Sequence, residues 1–235
     1  MDGQVRIERH GELGVLVVDR PPVNAIDLPL ARRVPAVLRE TGSEYKAIVV
    51  ASALPCFCAG VDLRVVPTYG PEQQDQMRAA IDELVTTLYG WPAPVVAAVS
   101  GHALGGGLVV ALCADFRVGT TAPCKLGMPE VRAGIPFPAA AMAVVRAELT
   151  APVVRRLVLH GAILDGAAAL ACGVLDEIAP PERVRARALE IAAELAALPA
   201  TTYRKVKRDL RTGYAHDEAW LAPETAASSA GILRR

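Results

Sequence analysis

The chain has 235 residues, which suits one ordinary domain with a substantial core. Hydrophobic residues make up 52% of the sequence and aromatic residues only 4%, so valine, leucine, isoleucine and alanine must fill the interior. The formal net charge at pH 7 is zero, which excludes a global field able to attract nucleic acid or an anionic membrane.

Neither a targeting segment nor a membrane span is predicted. The first residues, Met1–Gly11, are polar and charged, unlike a secretory signal. The longest apolar run, Pro94–Leu112, is interrupted by polar residues and glycines before it reaches the roughly 20 apolar residues that a spanning helix needs. We therefore expect a cytoplasmic protein with no membrane partner.

The cysteines are odd in number, which argues against a disulfide framework in a chain without a secretion signal. Cys56 and Cys58 are spaced like half of a metal site, but no second cysteine pair or histidine pair follows them. No metal site is therefore predicted. The cysteines are expected to be small buried hydrophobic residues: Cys56, Cys58, Cys113, Cys124 and Cys172.

Five short segments have the composition of strands. Gln4–Glu8 and Gly14–Asp19 are separated by a turn and form the first pair. Lys46–Ser52 and Pro94–Ser100 are rich in valine and alanine and lack alternation, which is typical of strands buried on both faces. Asp115–Gly119 is a further short strand candidate.

Helical patterns lie between these strands. Asp27 is a candidate cap for a helix that continues through Glu40. A second helix is indicated by one apolar stripe with spacings of four, three and four, made of Met77, Ile81, Leu84 and Leu88.

After Ala139 no further strand is predicted, and the pattern becomes helical. Helices are expected over Thr150–His160, from Asp165 to Gly173, and from Thr201 past Leu210. From Glu182 onwards, one helix face carries the apolar residues Val184, Ala188, Ile191, Leu195 and Leu198. The sequence thus predicts an α/β core over residues 1–180 and a helical C-terminal region over residues 181–235, whose apolar stripes cover the core or another subunit.

Two glycine-containing turns follow strands. One is Phe57–Leu63, and the other is Ser100–Leu108, which opens a helix. Glycine allows a close approach of the main chain to a ligand, and a helix N-terminus offers free N–H groups. Two such turns could direct two amides at one oxygen, as in an oxyanion hole. Tight strand-to-helix packing explains the glycines equally well from the spacing alone.

Several motifs occur in the order seen in the enoyl-CoA hydratase/isomerase (crotonase) superfamily, which the chain therefore resembles from about Gln4 to Leu210. The segments that carry the resemblance are Arg20–Asp27 (RPPVNAID), Phe57–Leu63 (FCAGVDL), Gly101–Leu108 (GHALGGGL), Cys113–Arg117 (CADFR), Leu126–Val131 (LGMPEV) and Asp165–Glu177 (DGAAALACGVLDE).

The resemblance implies a spiral of ββα turns followed by an α-helical C-terminal trimerisation region, in a homotrimer or a dimer of trimers. It implies an acyl-CoA thioester substrate whose enolate oxygen is held by the backbone amides of Val61 and Gly106. It implies no metal or redox cofactor, since coenzyme A is part of the substrate.

The same resemblance implies a set of residues that bind the acyl-CoA: Val23, Ala25, Ala59, Gly60, Asp62, Leu63, Gly105, Val109 and Pro129. For Asp62, fixing the turn or capping a helix is an open alternative to a chemical role. A basic stretch near the C-terminus has two open explanations, a solvated helix face or a contact with the CoA 3′-phosphate. Its members are Arg204, Lys205, Lys207, Arg208 and Arg211.

The acid–base residues separate the activities within this family. Hydratases that the chain resembles carry two glutamates, at positions that are Val109 and Glu130 here. Valine cannot activate water, whereas one glutamate matches the isomerases, in which it moves a proton between two carbons. Isomerisation of 3-enoyl-CoA to 2-enoyl-CoA is therefore the leading prediction, with Glu130 as the base. A 2-enoyl-CoA hydratase and a non-catalytic acyl-CoA-binding protein are the alternatives.

One departure from the hydratases follows the Pro-Glu motif. Where those enzymes have a glycine-rich segment, this chain has Gly134–Ala139 (GIPFPA), which is expected to shape the acyl pocket differently.

Overall fold

A computed structural model of the chain describes residues 5–41 and 44–211. Its strands are β1 (Val5–His10), β2 (Leu13–Val18), β3 (Ala47–Ser52), β4 (Val95–Val99), β5 (Ala103–Leu104), β6 (Phe116–Thr120), β7 (Leu126–Gly127), β8 (Ile163–Leu164) and β9 (Glu177–Ala179). Its helices are α1 (Leu28–Thr41), α2 (Pro71–Tyr89), α3 (Gly106–Leu112), α4 (Glu130–Ala133), α5 (Ala139–Glu148), α6 (Ala151–Val154), α7 (Gly166–Ala171), α8 (Val184–Ala196) and α9 (Ala200–Arg211).

A six-stranded sheet in the order β1-β2-β3-β4-β6-β9 forms the centre of the fold. Only β1 and β2 pair antiparallel, and every other neighbouring pair is parallel. In the middle of the sheet, β3 and β4 pair in register with Val49 opposite Val96, and both strands are buried. This confirms the prediction from their uninterrupted apolar sequences, because parallel strands lose contact with water on both faces.

Helix α8 covers one face of this sheet. Val184, Ala188 and Ile191 of α8 are buried in a cluster with residues of the central strands, such as Val49 and Val96. The predicted apolar stripe is therefore confirmed for these three residues, over two turns, whereas Leu198 lies beyond the end of α8 and is 47% exposed. The helix belongs to the sequence region predicted to start at residue 181, yet its apolar face completes the core of the sheet. Residues 212–235 of that region lie outside the described residues.

The other face of the sheet is covered by α1 and α2, which pack against each other. Both helices match their predicted positions, and Asp27 caps α1 by accepting the N–H of Leu30 at 2.9 Å. Asp165 likewise caps α7 by accepting the N–H of Ala168 at 2.8 Å. No helix in the described ranges is long and apolar enough to cross a bilayer.

A second, smaller sheet lies beside the first and carries the loops with the glycine turns. It contains β5, β7 and β8, with β5 and β7 parallel. Two isolated bridges extend the same ladder, one between Cys58 and Ala103 and the other between Ile26 and Val61. Segments that are distant in sequence are thereby aligned side by side.

The prediction that strands end before Ala139 is wrong, because β8 and β9 follow it. Each is only two or three residues long, which is too short to produce a period in the sequence. They form because each joins an existing sheet edge: β8 pairs with β7, and β9 pairs with β6.

The basic stretch of α9 is not a uniformly solvated face. Lys207 and Arg211 are buried, with relative exposures of 7% and 6%. Lys207 Nζ lies 2.7 Å from a carboxylate oxygen of Asp115, and Arg211 lies 3.0 Å from the other oxygen. For these two residues the solvated face and the CoA contact are both wrong, because their charges are used to attach α9 to the start of β6.

Candidate active site

The two glycine turns meet in the folded chain. Gly60 has a φ of +83°, and a Cβ built on it would lie 2.6 Å from the Leu104 carbonyl and 3.3 Å from the Gly106 nitrogen. Both the backbone conformation and the space therefore require glycine at position 60. The approach places the Phe57–Leu63 loop directly against the first turn of α3.

Among residues 5–41 and 44–211, two backbone N–H groups at this meeting point have no partner in a helix or strand. The bridge between Ile26 and Val61 uses the Gly60 carbonyl and the Asp62 N–H, at 2.7 and 2.8 Å, so the Val61 N–H lies on the opposite edge. Gly106 is the first residue of α3, so its N–H has no carbonyl acceptor within the helix. Val61 and Gly106 both line one cleft.

Arg20 holds the Val61 loop to the RPPVNAID segment. Its guanidinium donates to Asp27 at 2.8 Å, to Asp62 at 2.9 Å and to the Ala25 carbonyl at 2.9 Å. Burial alone would raise the pKa of Asp62, but the Arg64 N–H and the Arg20 guanidinium lower it overall, so this carboxylate stays charged. These contacts support a structural role for Asp62 in fixing the turn, rather than a chemical role.

The side chain of Asn24 connects the same segment to Ser52 and Phe57. It is fully buried with a φ of +52°, and its side-chain amide donates to the Ser52 hydroxyl at 2.7 Å and to the Phe57 carbonyl at 3.1 Å. Its side-chain oxygen accepts the Arg20 N–H at 2.7 Å. A buried amide with its donors and acceptor engaged stabilises one loop geometry.

Glu130 supplies the carboxylate of the cleft. It follows β7 and Pro129 and opens the short helix α4. Oxygen Oε2 is buried and has no hydrogen-bond partner among the described residues. Burial raises the pKa of Glu130 to about 7, although its own backbone N–H opposes the shift slightly. A carboxylate with this pKa exchanges a proton readily near neutral pH.

The rest of the cleft wall is apolar. Val109 is 1% exposed and lies on the wall at the position where hydratases have a glutamate. The cleft spans about 480 Å³, a volume that includes space open to solvent, and is lined by Ile26, Val61, Ile81, Leu84, Val85, Gly106, Val109, Val110, Glu130, Ile135, Pro136, Phe137, Pro138 and Ala141. Glu130 is the sole carboxylate among these described lining residues, so one proton acceptor serves the whole cleft.

The predicted acyl-CoA residues occupy three places. Two loops beside the cleft, joined by main-chain hydrogen bonds, contain Val23, Ala25, Ala59, Gly60, Asp62 and Leu63. Between these loops the Val23 carbonyl accepts the Ala59 N–H at 3.0 Å. Leu63 lies at their edge and is 56% exposed. Pro129 directly precedes Glu130, Gly105 lies against the Glu130 carboxyl group, and Val109 is on the cleft wall.

Some lining residues were not assigned to the site from the sequence. Ile81, Leu84 and Val85 come from α2, and the available signal was only an apolar helix stripe. The same pattern describes ordinary core residues, so it carries no chemical information. The Gly134–Ala139 segment, by contrast, was expected to shape the acyl pocket, and Ile135 through Pro138 do line the cleft.

His102 has a structural contact within its turn. Its side chain is exposed, and Nδ1 accepts the Lys125 N–H at 3.0 Å. This contact ties the strand leading into the glycine turn to the segment before β7. No contact directs His102 towards the cleft.

A six-stranded, mostly parallel sheet with a second short sheet, and a cleft with one carboxylate beside two backbone amides, define a crotonase-like protein. The enoyl-CoA hydratase/isomerase family model matches residues 8–224, so the chain belongs to that family.

Relatives and solved structures agree with this assignment. A probable enoyl-CoA hydratase EchA17 of Mycobacterium avium is 34% identical over 179 residues, which cover 75% of this chain and 69% of the relative. The crystal structure of the enoyl-CoA hydratase EchA3 of Mycobacterium ulcerans has a TM-score of 0.85 and 29% identity, over 90% of this chain and 93% of that one. The human mitochondrial Δ3-Δ2-enoyl-CoA isomerase has a TM-score of 0.86 and 26% identity, over 90% and 84%. The predicted crotonase-like fold is therefore confirmed.

Proposed function

We propose that the protein isomerises a 3-enoyl-CoA to a 2-enoyl-CoA, with Glu130 as its single acid–base residue. The observation that carries this proposal is the composition of the cleft, in which Glu130 is the one carboxylate among the described lining residues and Val109 is apolar. Moving a double bond needs one group that takes a proton and returns it, and the cleft provides one such group.

The reaction balances without any other reagent. Glu130 removes a proton from C2, and the C2–H electron pair forms a C1=C2 bond while the carbonyl electrons move to the thioester oxygen, which gives a dienolate. The protonated Glu130 then delivers the same proton to C4. In this step the carbonyl re-forms, the C1=C2 pair becomes the C2=C3 bond, and the C3=C4 pair forms the new C4–H bond. Since no electrons leave the substrate, the reaction needs no redox cofactor.

The backbone amides of Val61 and Gly106 are proposed to hold the thioester oxygen. Charge builds up on that oxygen only as the C2 proton leaves, so donors placed there stabilise the transition state more than the ground state. A raised pKa for Glu130 suits this step, because a proton acceptor of pKa about 7 is both available and sufficiently basic at neutral pH.

Hydration of a 2-enoyl-CoA is the second candidate function. It is favoured by the names of relatives, such as the probable enoyl-CoA hydratase EchA17 of Mycobacterium avium. Hydration requires activation of a water molecule as well as protonation at C2, and the two-glutamate arrangement expected of hydratases is incomplete with Val109. We therefore place isomerisation first.

The decisive experiment compares 3-enoyl-CoA isomerisation with 2-enoyl-CoA hydration in the wild-type protein and in Glu130→Gln. Isomerisation should be the faster reaction, and Glu130→Gln should lose at least roughly 10²-fold in its rate while retaining acyl-CoA affinity. Faster hydration would favour the hydratase. Tight acyl-CoA binding without either activity would identify a non-catalytic binding protein.

A separate variant tests the proposed oxyanion site. A Cβ at Gly106 would contact Ile26 at 3.5 Å, an ordinary van der Waals distance, so the first atom of a side chain there meets no steric clash. Gly106→Val should still obstruct the approach of the thioester and reduce turnover by roughly 10²-fold or more. Unchanged turnover would refute the assignment of this amide.

The remaining proposals concern the surroundings of the site. The residues predicted to bind acyl-CoA are proposed to contact the substrate along the two hydrogen-bonded loops beside the cleft. The protein is proposed to act in the cytoplasm. Its proposed assembly is a homotrimer or a dimer of trimers.

A further inference from the structure

The three glycines that open α3 face different surroundings. A side chain at Gly107 would meet the Cys58 carbonyl, which explains that glycine by close packing of the loop against the helix. A Cβ at Gly106 would meet only Ile26 and Gly60 at ordinary contact distances. The three atoms nearest to a Cβ at Gly105 would all belong to Glu130.

The contact with Glu130 involves its carboxyl group alone. The Cβ of a residue at position 105 would lie 2.5 Å from Oε1, 3.2 Å from Cδ and 3.6 Å from Oε2 of Glu130. These distances leave no room for a methyl group while the carboxyl stays in place. The Glu130 carboxylate therefore occupies the space that a side chain at position 105 would need.

The main chain at Gly105 is held on both sides. Its N–H donates to the Gly127 carbonyl at 2.8 Å, and its carbonyl accepts the N–H of Leu108 at 2.9 Å and that of Val109 at 3.1 Å. Because β5 and β7 are paired, the residues that follow them are brought together, with Gly105 after β5 and Glu130 three residues after β7.

We propose that Gly105 is a positioning residue for Glu130, and that the carboxylate excludes a side chain at position 105 in addition to the positive φ of the backbone there. With no side chain there, the carboxyl group lies against the main chain immediately before Gly106, the residue whose amide is proposed to hold the thioester oxygen. This inference rests on the proposed role of Glu130 as the base. It assigns Gly105 a role different from direct acyl-CoA binding.

A side chain at position 105 has a specific consequence. The clashing atoms are the far end of a flexible side chain, so the carboxylate can swing away from the methyl group with little loss of packing. Displacement towards the open cleft would return water to the carboxylate and move its pKa down towards the ordinary value. A base displaced by about 1 Å can lose roughly 10²-fold in rate.

The first test measures the proton affinity of Glu130 without using turnover. The difference in melting temperature between a protein with Glu130 and its Glu130→Gln counterpart is followed from pH 4 to pH 9, in the wild-type background and in Gly105→Ala. In the wild-type background the difference should change between about pH 4.5 and about pH 7, because the folded chain binds the Glu130 proton more tightly than the unfolded chain. With alanine at position 105 the two proton affinities approach each other, so the pH dependence of the difference should flatten. An unchanged pH dependence would overturn the proposal.

The second test uses a shorter carboxylate. In Gly105→Ala, isomerisation should fall by up to roughly 10²-fold with little change in acyl-CoA affinity. Glu130→Asp should reduce kcat in the wild-type background, but should harm Gly105→Ala less or partly restore it, because the shorter side chain avoids the added methyl group. Independent, multiplicative losses would argue against a steric contact between the two positions.

A control separates this contact from backbone strain. Gly105 has a φ of +54° and a ψ of −126°, so alanine is strained there in any case. Gly173→Ala also introduces alanine at a positive φ, +77°, but nothing lies within 4 Å of its Cβ. It should cost stability and leave the pH dependence of the difference between Glu130 and Glu130→Gln unchanged.

Folding itself provides the last comparison. Should Gly105→Ala fail to fold with Glu130 present, the double variant with Glu130→Ala should recover the fold. Equal loss of folding in both backgrounds would show that the backbone conformation alone excludes alanine, and it would overturn the proposal. Failure of the proposed isomerase activity would be recognised separately, since the melting-temperature measurements need no substrate.

Discussion

Asp62 accepts a hydrogen bond from the guanidinium of Arg20 at 2.9 Å, across 42 residues of sequence. Both side chains are mostly buried, with exposures of 15% for Arg20 and 12% for Asp62. Arg20 also donates to the Ala25 carbonyl and to Asp27, so it connects Asp62, next to Val61, to the segment around Ile26. The position of the Val61 amide therefore depends on a contact outside the cleft.

Breaking this pair should affect both stability and turnover. We expect Asp62→Asn to lower the free energy of unfolding by about 1.5–3 kcal/mol, the usual range for a hydrogen bond to a charged group. Turnover should fall because the Val61 loop loosens, and urea denaturation together with isomerase assays would measure the two effects. Asp19→Asn is the control, because Asp19 is 36% exposed and pairs with Arg6 at 3.4 Å. Equal effects of the two variants would contradict the role of Asp62.

The raised pKa of Glu130 predicts a pH dependence of activity. Only the ionised carboxylate removes a proton, so kcat/KM for isomerisation should fall roughly tenfold per pH unit below about 7. The measurement is a pH–rate profile of the free enzyme between pH 5 and pH 9. An apparent pKa near 4.5 would mean that the carboxylate is solvated in the working protein.

The same pKa predicts an opposite trend in stability. Because the folded chain binds the Glu130 proton more tightly than the unfolded chain, folding stability is lost as pH rises from about 4.5 through about 7. Glu130→Gln removes this loss. The variant should therefore melt at a higher temperature than the wild-type protein at pH 8, with a smaller difference at pH 5. A constant difference across this range would contradict the burial of the charge.

A second glutamate in the cleft should introduce hydration. Val109→Glu places a carboxylate where hydratases have one, and it should raise 2-enoyl-CoA hydration towards the roughly 10²-fold that a positioned base contributes. Val109→Gln is the matched control, because it has a similar shape without the base. Equal hydration rates in the two variants would show that the cleft does not position water at this residue.

Asp115 should be important for stability because it neutralises two buried cations. Asp115→Ala leaves Lys207 and Arg211 without their shared carboxylate and should lower the free energy of unfolding by roughly 3–5 kcal/mol. The exposed pair of Lys205 and Asp209 lies on the same helix, so Asp209→Ala should cost less than about 1 kcal/mol. Urea denaturation of both variants measures the contrast, which would be absent if α9 were only loosely attached.

The expected oligomer is tested by mass. Val206 and Leu210 lie one turn apart on α9 and are 60% and 77% exposed in the single chain, as are other apolar residues such as Leu159 at 65%. Covering such surfaces favours association. Sedimentation equilibrium at micromolar concentration should give at least three chains per particle, and a clean monomer would contradict the prediction.

Local patterns in the sequence were sufficient for the central strands and the long helices. Strand β3 and strand β4 are buried on both faces, which requires continuous apolar runs, and α2 buries one stripe, which requires the helical period. Motif order was sufficient for the family, and it placed Val61, Gly106 and Glu130 at one cleft.

Only the tertiary structure decided what surrounds these residues. Burial raises the pKa of Glu130, and the segments that bury it are distant in the chain. The contact between the Glu130 carboxyl group and Gly105 likewise joins residues that are separate in sequence. Lys207 looks like a solvated cation in the sequence, yet it is buried because its partner Asp115 lies 92 residues away. A residue's own type and its neighbours determine helix and strand, whereas desolvation and charge pairing depend on whatever the fold brings against it.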